Sequence, residues 1–398
     1  MNIKYIDNNR DKGIKIDWNK IFRSFKKLGI PEQFYDPTEL PIREVNWCAL
    51  LSNRSVGKTT QLLVIGLLLY KEYKIQTGYI RQTKAMTTST KTKNLYTTIN
   101  ETGLISKIFG DDWNSTYLWQ SYVYLCKRDE MGNMIEKQND PICILLSVDR
   151  SEEYKSSLTL PRCDWLIFDE FLSSSYRTNE IVDLCQTIST IKRNRISTKV
   201  ICSTNMVAKY GMYLNEFCID KVVEKLKPDE SEIVETPLGL RMYVKIIEDV
   251  RNKDKKHVQE NLSYFGFKNK ELASITGAEW QIRNYPHLMR PEENESRELI
   301  TRNVYIYAFG HYVCMEFYSS NIMGNYVNFR PYELTIPPDD AIIFTDQIPK
   351  KSNEIYGVGN GTPFLKLWNL YRAHRDYYAS NDIGYMVETF IKSIDRTR

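Results

Sequence analysis

The sequence predicts an α/β fold built on a mainly parallel sheet, and three observations carry that prediction. Short β-rich runs alternate with helical ones through the first half of the chain. One strand–helix junction holds the pattern of a phosphate-binding loop, Ser52-Asn53-Arg54-Ser55-Val56-Gly57-Lys58-Thr59. An apolar run, Trp165-Leu166-Ile167-Phe168, ends in paired carboxylates, Asp169-Glu170. The expected strands are Asn46–Leu51, Gly78–Arg81, Ile142–Val148, Trp165–Phe168 and Lys199–Ser203. Helices are expected over Thr60–Lys74 and Asn179–Ile191. Ligands of parallel sheets collect at the carboxyl ends of the strands, where both the loop and the acids fall.

The loop departs from G-x-x-x-x-G-K-[ST] at one position, with Ser52 in place of the first glycine. A helix opening at Gly57 aims unpaired N–H groups and its positive dipole end at an entering anion. Residues Ser52 to Thr59, with Thr60 behind them, are therefore a candidate nucleotide site. Lys58 is expected to reach the β- and γ-phosphates of ATP, and the Thr59 hydroxyl to hold Mg2+. Asp169 is expected to orient the same magnesium, a hard cation that prefers oxygen ligands and keeps several waters. Glu170 then accepts a proton from the attacking water or orients it. The plainer readings are a chance glycine–lysine turn and a strand ending in two solvated acids; each motif weakens the plain reading of the other.

Further residues have a case for chemistry beside a plainer alternative. Asn205, ending Ser203-Thr204-Asn205, either contacts the γ-phosphate or caps a strand. Arg193, in Lys192-Arg193-Asn194-Arg195, is either a finger on a neighbouring subunit's γ-phosphate or an ordinary basic helix end. Lys155, in a polar loop before the acidic strand, suits a subunit boundary or plain solvent. Arg54 can reach a phosphate or pair with an acid when the site is empty. The segment Arg81-Gln82-Thr83-Lys84, with Lys91 and Lys93, can face a DNA backbone or water.

At 398 residues the chain has room for two or three domains. A formal net charge of +4 means that any nucleic-acid surface is a local patch. The longest apolar stretch, Leu62 to Tyr70, is too short to span a bilayer, and residues Lys4, Asp7, Arg10 and Asp11 interrupt any leader-like run, so a cytosolic protein without membrane contact is expected. The eight cysteines form no C-x-x-C pair and several fall inside expected strands, which favours reduced buried thiols over disulfides or zinc.

The stretch from about Leu226 to Lys256 is highly charged and reads as a solvated face or connector. A hairpin-like insertion is expected from Ser121–Lys127 and Cys143–Val148 around Glu130-Met131-Gly132-Asn133. A helical linking module over Glu260–Arg283 precedes a β-like, aromatic region. There Asn303–Phe309 and Tyr312–Phe317 make a hairpin about Gly310-His311, with helices over Pro363–Tyr378 and Ile383–Ile394 closing the chain. The expected domains are thus residues 1–250, a linker over 251–285, and residues 286–398.

Taken in order, these motifs resemble those of the phi-29-like podophage DNA-packaging ATPases. The loop resembles that family's G-G-R-G-x-G-K-S with its internal arginine kept as Arg54, and Phe168-Asp169-Glu170-Phe171 resembles its Y-D-E-F. Lys192-Arg193-Asn194-Arg195 is similar to F-R-N-R, Ser203-Thr204-Asn205 to L-S-N, and Tyr79-Ile80-Arg81-Gln82-Thr83-Lys84 to Y-L-R-R-x-K. The resemblance implies an ASCE-type P-loop ATPase domain followed by a short linker and an α+β, RNase H-like domain that is a vestigial nuclease. It makes Arg193 and Lys155 trans-acting residues and Lys84 a DNA contact. It further implies a viral genome-packaging motor that drives double-stranded DNA into a procapsid, as a pentameric ring docked on the portal with a structural RNA between them, in the host cytoplasm. The strand that should carry a nuclease aspartate reads Tyr305-Ile306-Tyr307-Ala308-Phe309 and has no carboxylate. Competing readings are another ASCE DNA translocase, such as a helicase or a nuclease-active terminase, and a non-catalytic nucleotide-binding scaffold.

Overall fold

The computed structural model describes residues 14–52, 56–87, 92, 94–157, 160–172, 177, 179–205, 211–248, 285–291, 293–334, 336–345, 349–356 and 369–395. They fall into two compact units. The first holds the described residues of 14–171, 179–206 and 221–248, and the second those of 172–177, 211–220 and 285–395. The expected linking helix, Glu260–Arg283, lies outside the described residues.

The first unit opens with α1 (Trp18–Lys26), capped by the Asp17 carboxylate, which accepts from the Lys20 N–H. Then come β1 (Trp47–Ser52), α2 (Lys58–Tyr73), β2 (Gln76–Arg81), α3 (Thr97–Glu101) and α4 (Leu104–Phe109). They are followed by β3 (Ser115–Trp119), β4 (Tyr122–Arg128), β5 (Met134–Lys137), β6 (Cys143–Ser147), α5 (Ser151–Ser157) and β7 (Cys163–Asp169). The unit ends with α6 (Glu180–Lys192), β8 (Lys199–Asn205), β9 (Ser231–Glu235) and β10 (Arg241–Ile247).

These strands make one ten-stranded sheet in the order β3-β4-β6-β2-β7-β8-β1-β10-β9, with β5 paired to β4. The central run from β6 to β10 is parallel throughout, and the flanking strands are antiparallel. The expected parallel core is borne out. Helix α2 is apolar on every side because it is buried on every side, from Leu62 to Tyr70. Each such leucine contributes about 1.5–3 kcal/mol by leaving water. Gly66 lets α2 lie close on the sheet, since a Cβ there would stand 2.1 Å from the Thr77 hydroxyl.

Three expectations fail here or in the second unit. The charged stretch after Leu226 is no connector between 231 and 247, because β10 pairs in parallel with β1 along its whole length. Charge on both flanks hides the apolar run Met242-Tyr243-Val244, which is buried. The expected antiparallel pairing of β4 with β6 is present, Tyr122 opposite Ile144 and Val123 opposite Cys143, but the turn at Glu130–Asn133 leads from β4 into β5 first and not directly to β6. Of the helix expected over Pro363–Tyr378, residues 369–372 are helical, 376–378 are strand and 363–368 lie outside the described residues.

The second unit's sheet is built from β11 (Arg297–Ala308), β12 (His311–Ser320), β13 (Gly324–Pro331), β14 (Ile342–Thr345), β15 (Glu354–Tyr356) and β16 (Asp376–Tyr378), and α7 (Asn381–Asp395) follows. Its order is β15-β14-β11-β12-β13-β16. Strands β11, β12 and β13 form an antiparallel meander, β14 and β15 continue it in parallel from β11, and β16 runs parallel to β13. The expected hairpin is present, turned one residue earlier at Phe309-Gly310. Both residues have positive φ, 52° and 81°, as a tight two-residue hairpin turn requires. Ile306, Phe329, Tyr378 and Phe390 fill the core, with α7 contributing the last of these.

Candidate nucleotide site

Strand register decides which side chains can meet. Ser52 at the end of β1 lies opposite Asn205 at the end of β8, and Asp169 at the end of β7 lies opposite Ser203. Phe168 pairs with Ile80, one residue before Arg81 ends β2. The carboxyl ends of β2, β7, β8 and β1 therefore line up along one edge of the sheet.

Gly57 stands between β1 and α2 with φ +77°, a left-handed conformation that β-carbons resist. Val56 is buried, and its carbonyl accepts from the Tyr35 N–H at 2.9 Å, which fixes the exit of the loop. From this turn α2 begins at Lys58. The Lys58 ammonium is buried, contacts the Ser52 hydroxyl and lies 3.4 Å from Asn205 Oδ1. Burial lowers its pKa to about 8, opposed by the charges of Asp169 and Glu170. A lysine so dehydrated gains from any anion that reaches it. Thr60 is half-buried one residue further along α2.

The Thr59 hydroxyl donates to Asp169, with both carboxylate oxygens at 3.1 Å. The Tyr79 hydroxyl donates to Asp169 Oδ2 at 2.7 Å. Burial, and after it the Asp169 charge, holds the Tyr79 phenol well above its ordinary pKa, so it remains a donor. Arg81 spans the two acids, with Nη1 3.4 Å from Asp169 and Nη2 paired with Glu170. Its Nε is buried without a partner, an unused donor beside the acids. Glu170 sits at φ +53°, a conformation that costs a non-glycine residue about 1–3 kcal/mol. That bend sends Phe171 into the core, held by the Ser203 and Gln82 contacts, and leaves the Glu170 carboxylate half-exposed.

The structure therefore brings together Ser52, Gly57, Lys58, Thr59, Asp169, Glu170 and Asn205 from the sequence-predicted set. It adds Tyr79 and Arg81, whose side chains turn into the acids. Arg81 and Gln82 thus do not face a DNA backbone: the first pairs with Asp169 and Glu170, and the second is buried against the Phe171 carbonyl. Asn53, Arg54, Ser55, Lys91 and Lys93 lie outside the described residues. Lys84 is exposed, and its N–H is anchored on the Asp149 carboxylate.

Arg193 and Lys155 are not part of this cluster. Lys155 is exposed on α5 and pairs with Glu152 at 2.6 Å. Arg193 is exposed in the turn after α6, which leads into the amino end of β8. Its neighbour Arg195 is bound to Asp164 at the amino end of β7, five residues from Asp169. Five strand residues span about 17 Å, so Arg193 and the chain's own acids stand at opposite edges of the sheet.

No family model and no curated protein matches the chain. Solved structures do. A structure described as the Phi-28 gp11 DNA packaging motor superposes with a TM-score of 0.53 at 15% identity, covering 92% of this chain and 98% of that one. A second, of the bacteriophage Phi-29 viral genome packaging motor assembly, gives a TM-score of 0.51 at 15% identity, over 91% of this chain and all of the other. The fold is that of the phage packaging motors. Both likenesses extend over both units of the chain, so the packaging-motor fold includes the second sheet as well as the nucleotide-site sheet.

Lys58, Thr59 and Asp169 fit a magnesium nucleotide. A buried cation, a left-handed glycine at a helix start and a hydroxyl–carboxylate pair supply donors for phosphate and oxygens for the metal. Among the described residues no helix is long and apolar enough to cross a membrane.

Proposed function

We propose that the chain is the ATPase of a viral genome-packaging motor, coupling ATP hydrolysis to translocation of double-stranded DNA into a procapsid. The observation that carries this reading is the division of catalytic parts between two edges of one sheet. Lys58, Thr59, Asp169 and Glu170 converge at one edge, while Arg193 projects at the other, where its own site is out of reach. An arginine so placed meets a γ-phosphate only across an interface, as a ring of ASCE-type subunits provides.

In this reading Lys58 and the N–H groups of the loop bind the phosphates, and Thr59 and Asp169 hold Mg2+. When bound there, magnesium would neutralise phosphate charge. Glu170 takes the proton of the attacking water or orients it. Because it is paired with Arg81 here, that role needs the pair to loosen. Asn205, beside Lys58, lies where it can contact the γ-phosphate. Lys155 is a further candidate at the subunit boundary. Resemblance suggests a pentamer on a portal, a structural RNA partner and DNA contacts from Lys84, Lys91 and Lys93.

By resemblance the second unit is an RNase H-like domain that is a vestigial nuclease. Its buried acids are each engaged separately: Glu316 with Asn328 and Tyr318, Asp376 with Tyr378, and Glu295 with Arg297 and Ser320.

The test is a mixing experiment. Arg193→Ala subunits and Glu170→Gln subunits are each expected to be inactive alone and to recover DNA-stimulated hydrolysis when mixed. No recovery at any ratio overturns the shared site. Strand separation on forked DNA would point to a helicase, and metal-dependent nicking of DNA by the full chain would refute the vestigial nuclease.

A further inference from the structure

We infer that Asp164 and Arg195 form a lock that positions Arg193, and that this lock, rather than helix α6 alone, sets the finger's reach into the neighbouring subunit. The inference rests on the reading of Arg193 as a trans-acting residue and extends it to side chains that touch no nucleotide.

The backbone at Arg193 has φ +47° and ψ −120°, the first central position of a turn normally given to glycine. The Arg195 N–H closes that turn on the Lys192 carbonyl at 3.0 Å, and the Arg193 N–H bonds the Ser189 carbonyl at 2.8 Å. Such a conformation persists only where the surroundings over-determine it. They do so immediately downstream. Arg195 Nε donates to Asp164 Oδ1 at 2.7 Å, and Nη2 reaches the carbonyls of Ile191 at 2.8 Å, Cys163 at 3.1 Å and Leu160 at 3.2 Å. Asp164, whose side chain is wholly buried, also accepts from Ser197 at 2.8 Å and Thr198 at 2.7 Å.

One guanidinium thus ties the end of α6 to the start of β7, and one carboxylate ties the far side of the turn to the same strand. The exposed Arg193-Asn194 pair lies between these anchors. A planar fork is needed, because a lysine cannot reach the carboxylate and three carbonyls together.

The experiment uses the full chain. Arg195→Lys keeps the charge and loses the fork. Hydrolysis is expected to fall about 100-fold, the cost of misplacing a catalytic group by about 1 Å, with affinity for a fluorescent ATP analogue unchanged. Mixing with Glu170→Gln subunits, which bring an intact Arg193 turn, is expected to restore hydrolysis as it does for Arg193→Ala. Wild-type hydrolysis by Arg195→Lys overturns the inference. So does a mixture in which Arg193→Ala is restored and Arg195→Lys is not, which leaves the finger itself standing. Failure of both mixtures removes the finger and the lock with it. Should Arg195→Lys fail to fold, Thr198→Ala, which deletes one hydroxyl from the lock, carries the same test.

Discussion

Strand β7 carries an aspartate at each end, and each is met by an arginine and hydroxyl groups. The two clusters differ in how fully their bonds are used. At the amino end, Asp164 accepts three short bonds, and Arg195 Nη2 reaches backbone carbonyls. At the carboxyl end, Asp169 is held by Tyr79 at 2.7 Å, by Thr59 at 3.1 Å and by Arg81 at 3.4 Å, and Arg81 keeps an unpartnered Nε. The same residue types build a strut when the bonds to the carboxylate are short and buried. Left loosely matched, beside a dehydrated lysine and a strained Glu170, they build a site. Unused hydrogen-bonding capacity therefore marks function more clearly than the presence of charge does.

The two ends should fail in different currencies. Glu170→Gln at the carboxyl end is expected to slow hydrolysis about a thousandfold, within the usual range for a lost general base, and to leave the melting temperature and nucleotide binding intact. DNA-stimulated hydrolysis that survives this change would place the base elsewhere. Asp164→Asn at the amino end is expected to cost about 3 kcal/mol of stability, because it leaves the Arg195 cation buried without its counter-charge. Chemical denaturation reads this directly, and an unchanged midpoint would mean that the strut is not one.

A smaller effect separates the hydroxyls. Tyr79→Phe removes a donor to Asp169, the proposed magnesium ligand, without changing ring packing, and is expected to weaken magnesium-dependent nucleotide binding about tenfold, as lost outer-shell partners do. Ser197→Ala removes a comparable donor from Asp164 and should leave that binding untouched. Equal responses in a magnesium titration would erase the distinction between the two ends.

How much of this was legible in the residues depends on the range of the interaction. The loop, the acidic strand and Asn205 follow from local pattern, since apolar runs and a Gly-Lys-Thr turn announce themselves within ten residues. Tyr79 and Arg81 were visible as a motif, but their direction was not. A strand's side chains alternate, and only the pairing of β2 with β7 shows that these two turn toward Asp169. Likewise β10 was obscured by charged flanks, although Thr236-Pro237-Leu238-Gly239 is a plain turn signal, with Gly239 at φ +86°. Arg195 reads as one more basic residue of a helix end. That it is buried, and Arg193 exposed, is set by Asp164, thirty-one positions away in the chain.

Lys58 gives the smallest and most graded contrast. Its pKa of about 8, lowered by burial, lies below the roughly 10.4 of an unfolded lysine. Below about pH 8 both states hold the proton, and the cost of burying the cation is paid in full. As pH rises from there toward about 10.4, the folded chain releases the proton first, so this group's contribution turns toward greater stability. Anion binding reverses the preference by favouring the ammonium. Nucleotide binding to magnesium-free protein should therefore take up almost no proton at about pH 7 and close to one at about pH 9, with affinity falling up to about tenfold per unit above 8. Calorimetry in buffers of different ionisation enthalpy measures that uptake. Lys58→Arg, charged throughout, should abolish it, whereas Arg195→Lys, at the amino end of β7, should leave it in place. Uptake that persists in Lys58→Arg would assign the proton to another group and break the link between a dehydrated lysine and the phosphate site.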